Sequence, residues 1–133
     1  MNTLRHEIYR CQKFSDTELT SELRHAAVKE RDSLVSLLIR LGEFDSRRLD
    51  LKKGYPNLCE YCMHVLRYSR SAAARRIAAA RAGRRYRSIF VMLESGELPL
   101  VGVAMLSPHL TQQNRWRSST STSAFLRGSP NFA

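Results

Sequence analysis

Two stretches of the chain carry side chains whose types and spacing suggest chemistry. Cys59 and Cys62 stand three residues apart with His64 just beyond, which is half of a thiolate–imidazole set, and residues 67–87 hold eight arginines with no acidic residue among them. A tetrahedral zinc site usually adds a second pair of ligands at comparable spacing. Only Cys11, His6, His25 and His109 remain to supply it, and they are scattered. The two cysteines also fall in a helical pattern, where residues three apart share a face and are easily buried. They are therefore expected to be core or semi-buried thiols in a reducing compartment, with no metal and no cofactor.

Other reactive groupings reduce to helix architecture. The carboxylate pairs Asp16/Glu18, Glu43/Asp45 and Glu94/Glu97 are explained by capping, helix polarity and exposure. His64 and His109 lack a nucleophile or an orienting partner in the sequence, Ser69 and Ser71 read as caps, and the six glycines are single and separated, so no phosphate-cradling loop exists. No catalysis is expected.

The arginines are the stronger signal. Residues 1–66 hold eleven Lys/Arg against ten Asp/Glu, whereas residues 67–133 hold eleven against two, and all eleven are arginine. Arginine presents a planar fork of donors suited to phosphates and base edges. A solvated helix face normally mixes signs, and so many like charges repel one another unless a polyanion relieves them.

The elements that position these residues read as helical almost throughout. Ser15 and Glu18 have capping-box spacing ahead of Leu19, Leu23 and Ala27, and Leu34, Leu37, Leu38 and Leu41 continue a helix over about 16–41 with Gly42 as its candidate end. Residues 43–51 can still extend or restart it, and 54–56 (Gly-Tyr-Pro) stop it. Asn57 caps a second helix over 58–66 with Leu58, Tyr61, Cys62, Val65 and Leu66 as its apolar stripe; after a three-residue turn, Ser69 caps a third over 70–82, with Gly83 at its end. On that third helix Ala73, Ala74, Ile77 and Ala80 are expected inside, and Ala72, Arg75, Arg76, Ala79 and Ala82 outside. Such an outer side joins long donors to small side chains, as entry into a DNA major groove requires. A short helix follows with Ile89, Phe90 and Leu93 inside and Gly96 at its end, and Pro99 opens a last one through Leu106. No strand alternation occurs.

The fold class expected is thus all-α: one multi-helix bundle containing a helix–turn–helix-like pair. It comprises an N-terminal extension (1–14), a helical DNA-binding domain (15–111) and a disordered tail (112–133) rich in Ser and Thr, in which Trp116 is the one oddity. The length and the 43% hydrophobic content suit one domain with a modest core. No apolar run is long enough to span a bilayer and no signal peptide is visible, so the chain is expected in the cytoplasm, and associated with the nucleoid if it binds DNA.

A stretch from residue 15 to 111 resembles the helical N-terminal region of bacterial HNH endonuclease-like proteins. The motifs that carry the resemblance are EFDSRRL (43–49), GYPNLCEYC (54–62), SRSAAARRI (69–77), AAR (79–81) and LSPHLT (106–111). The family usually has glycine in the turn where Arg67 stands, so an arginine in a left-handed conformation there implies a cost of about 1 kcal/mol. The family's metal-binding HNH module lies C-terminal to this region, and no residue here matches the nuclease histidines or asparagine. The resemblance therefore implies a truncated form that binds DNA without cutting it.

The expected contacts are Arg75 and Arg76 in the groove, with Arg67, Arg70, Arg81, Arg84, Arg85 and Arg87 on phosphates. The partner is double-stranded DNA, with no membrane and with a homodimer possible. The rival reading is a protein-interaction or dimerisation module.

Overall fold

The computed structural model describes residues 2–109, and in them the chain is all-helical, with no strand. Seven α-helices follow one another: α1 (Asn2–Lys13), α2 (Asp16–Ser46), α3 (Leu49–Lys52), α4 (Leu58–His64), α5 (Arg70–Arg85), α6 (Arg87–Ser95) and α7 (Leu100–Leu106). A 3-10 turn, Ser107–His109, closes the described chain. None of these helices is long and apolar enough to cross a membrane. The expected tail, with Trp116, lies outside the described residues.

The caps fall where the sequence puts them, because each supplies a side-chain oxygen to an amide that the first helical turn leaves without a partner. Ser15 Oγ accepts from the Glu18 amide at 3.2 Å while Glu18 Oε2 accepts from the Ser15 amide at 3.1 Å. Asn57 Oδ1 accepts from Glu60 N at 2.9 Å, and Ser69 Oγ from Ala72 N at 3.2 Å.

The helix ends depart from expectation in an instructive way. Gly42 and Gly83 do not stop their helices: α2 runs on to Ser46 and α5 to Arg85. Both glycines are buried where another element crosses the backbone. A Cβ on Gly83 would sit 2.2 Å from the Phe90 ring, and one on Gly42 would sit 3.4 Å from the Ala80 carbonyl. The smallness of Gly83 serves packing between helices, not termination, whereas a Cβ on Gly42 would meet its neighbours at ordinary contact distance. Helix α4 ends at His64, short of the expected residue 66, so the joint to α5 is five residues (65–69) and not three. Val65 and Leu66, expected on the apolar stripe, are exposed there. Within the joint Arg67 takes φ +66°, a left-handed conformation that favours glycine.

The core gathers around α5. Leu38 of α2, Cys62 of α4, Ile77 of α5, Ile89 of α6 and Val103 of α7 are buried in one cluster. α5 packs against α2, α4, α6 and α7 at once, so it is the central helix of the bundle. A helix of alanines is well suited to that place, since small side chains let neighbours approach from several directions. The N-terminal extension is also helical, but every described residue of α1 and all of residues 16–30 of α2 is exposed.

Candidate nucleic-acid interface

The central position of α5 overturns the expected assignment of its sides. Ala79 and Ala82, expected outside, are buried, and Ala74, expected inside, is exposed. Arg75 and Arg76 are half-buried with them. At 100° per residue the buried arc covers roughly two-thirds of the circumference, because α4, α6 and α7 close over what the alanine pattern left open. What faces solvent is a narrower line: Arg70, Ala74, Arg81 and Arg85 are exposed, and half-buried Ala78 falls within the same 80° or so. Arginines therefore do flank small side chains, but on a different face from the one expected.

The structure uses the eight arginines in three ways. Arg81 makes a two-pronged contact with Asp45 of α2, Nε to Oδ2 at 2.8 Å and Nη2 to Oδ1 at 3.2 Å. That bond holds the Arg81 guanidinium above its ordinary range, although partial burial opposes it. Arg84 donates to Glu43 Oε1 at 3.0 Å and to Ser46 Oγ at 3.1 Å. Arg70 approaches Glu60 Oε1 at 3.7 Å. The carboxylates that balance these three are 36, 41 and 10 residues away in sequence, so the acid-free run of 67–87 is not acid-free in space.

Arg76 belongs to a second group. Its guanidinium carbon lies 4.5 Å from the centroid of the Tyr68 ring and its Nη1 donates to the Ala72 carbonyl, while its Nε is shut away from water without a partner among the described residues. A guanidinium stacked on an aromatic ring and capping a turn of its own helix holds the 65–69 joint against α5. Its geometry is that of an internal brace, not of a groove contact.

The third group is available to a ligand. Arg67, Arg75, Arg85 and Arg87 have no carboxylate partner among the described residues, and Arg67, Arg85 and Arg87 are exposed. Arg85 lies 6.0 Å from the Tyr86 ring, close to the limit of that interaction.

Glu43 and Asp45 are the residues sequence reasoning undervalued. Hydrogen bonds from Arg47 and then Arg84 hold the Glu43 carboxyl below its ordinary value of 4.5. The signal lay in EFDSRR itself: two acids one turn beyond a buried leucine stripe point toward whatever that stripe packs on.

The cysteines are placed as expected for burial. Cys62 is fully enclosed and Cys59 half-buried, with its Sγ 3.8 Å from Met63 Sδ. Burial pushes the Cys62 thiol up to about 11, with Cys59, Asp50 and Asp45 adding to the effect, so at neutral pH it carries its proton and is a poor nucleophile or ligand. His64 is engaged by Glu60 on its own helix at 3.0 Å. Among the described residues no group of three or more His, Cys, Asp or Glu side chains is placed to hold a metal. No family model, no curated protein and no solved structure matches the chain.

Proposed function

We propose that the chain is a helical module that binds duplex DNA, chiefly through its phosphates, without cutting it. The contact is the solvent line of α5, with Arg67 and Arg87 at its two ends and the α4–α5 pair serving as the helix–turn–helix-like unit. The observation that carries the reading is that line itself: Arg70, Arg81 and Arg85 spaced around Ala74 and Ala78, so a rigid backbone approaches a polyanion closely with donors on either side. The charge imbalance supports it, since residues 31–109 carry fourteen Lys/Arg against seven Asp/Glu whereas residues 2–30 are balanced. This reading moves the leading contacts from the half-buried Arg75 and Arg76 to Arg85, which has no carboxylate partner among the described residues, and to Arg70, whose 3.7 Å approach to Glu60 is loose and solvent-washed enough for a phosphate to replace.

Fluorescence anisotropy with a short labelled duplex over a salt series tests it. Affinity is expected to fall steeply with salt. Changing Arg70 and Arg85 together to Ala should flatten the log–log slope by about 0.9 for each phosphate contact removed. Asp45→Asn should act oppositely, releasing Arg81 and tightening binding. An unchanged slope in the double variant would remove the α5 line from the interface, and equal affinity for heparin and duplex would reduce the interaction to unspecific charge attraction.

A further inference from the structure

The apolar stripe of α2 does not stop where the bundle stops. Leu34, Leu38 and Leu41 face the core, and Leu23 and Ala27 lie within about 60° of the same direction further toward the N-terminus. Yet Leu23 is 69% exposed and Leu19 44% exposed, and nothing among the described residues covers them. Helix α1 repeats the pattern with Leu4, Ile8 and Cys11 at i, i+4 and i+7, with Leu4 63% and Ile8 52% exposed. A 12-residue helix that packs on nothing is marginal in water, because nucleation is costly and propagation is worth little per residue. Both segments are built for a cover.

Charge indicates what the cover is. Arg5, Arg10 and Lys13 against Glu7 give α1 a formal charge of +2, while Asp16, Glu18, Glu22 and Glu30 against Arg24 and Lys29 give residues 16–30 a charge of −2. Their lengths also match, about 18 Å for α1 and about 22 Å for residues 16–30. We infer that two copies of the chain pair through these arms, the α1 of each lying along residues 16–30 of the other, apolar stripe to apolar stripe and opposite charges alongside. A two-fold axis satisfies both helices at once, as an isologous interface must. The C-terminal residues 110–133 fit less well as the occupant: they hold three arginines and no acid, which suits the acidic segment but leaves the basic α1 uncovered.

Light scattering behind gel filtration on the full chain reads the outcome directly and without DNA, so it stands or falls independently of the function proposed above. The expected mass is twice the 15.3 kDa of one chain, concentration-dependent on dilution. Ile8→Glu with Leu23→Glu should return the single-chain mass while hydrogen exchange in the bundle is unchanged; both positions are exposed, so the fold does not depend on them. Charge reversal identifies the exchange. Arg5→Glu with Arg10→Glu in one chain, or Glu22→Lys with Glu30→Lys in another, should weaken each self-pairing roughly tenfold, and mixing the two variants should restore a dimer. A chain that is monomeric at submillimolar concentration overturns the proposal. So does a dimer that survives the double glutamate variant, or a monomer in which residues 16–30 are protected until residues 110–133 are removed.

Discussion

Helix α5 and the first half of α2 invert the usual relation between side-chain size and burial. Over its length α5 is mostly alanine and arginine, yet Ala73, Ala79, Ala80 and Ala82 are all buried. The outer half of α2 presents Leu19, Leu23 and Val28, and all three are exposed. Hydropathy states what a residue gains from burial, not whether a neighbour is there to provide it. In α5 the small residues invite neighbours from several sides; in α2 large residues extend past the last neighbour.

The contrast is broken most forcefully within α2. Leu38→Ala should cost about 2–5 kcal/mol in chemical denaturation at any protein concentration, because it opens a cavity in the packed cluster. Leu23→Ala, on the same stripe, should leave the dilute monomer within about 0.5 kcal/mol and show its cost only where copies associate.

Next comes the central helix. Ala79→Leu places a large side chain where none fits and should cost about 1–3 kcal/mol, despite the good helix propensity of leucine. If instead it stabilised the protein, the α5 seam would be looser than its burial implies.

A smaller effect of opposite sign is expected at the joint. Arg67→Gly relieves a left-handed arginine and should raise the midpoint of unfolding by the equivalent of about 0.5–1 kcal/mol. The same change removes one exposed cation and so should weaken the proposed DNA binding, separating stability from affinity in a single variant.

Titration sharpens the comparison least. Cys62 titrates higher in the fold than its ordinary 9.0, so its contribution is whole below pH 9 and is lost as pH rises toward 11; Cys62→Ala should flatten that alkaline limb. Glu43 titrates below 4.5, so its contribution is present above that pH and is lost as pH falls further; Glu43→Gln should trim the acid limb slightly, since the carboxylate is exposed and its pairs are screened.

Local rules carried the sequence reading a long way. All three caps were legible because Ser15, Asn57 and Ser69 act over three residues, and so were the helices they begin. Gly42 and Gly83 mislead because a glycine inside a helix and one that ends it look alike in sequence; at Gly83 the approach of Phe90 decides, and that contact is invisible until the fold is known. The face of α5 was misjudged because alanine marks no side by size, so the helical projection had one isoleucine to orient it. The fates of Arg81 and Arg84 were the least legible. Their partners sit on a helix more than thirty residues earlier, and a scan for acids near the arginines does not reach it.

Helix α2 is 31 residues long, about 46 Å end to end, and roughly its first 22 Å stand clear of the bundle. A rod of that reach separates what is gripped at its tip from what is touched at its root. In the proposed dimer the companion molecule seats on Leu19 and Leu23, out along that rod, so the dimer and the proposed phosphate contacts around Ala74 call on different stretches of the chain.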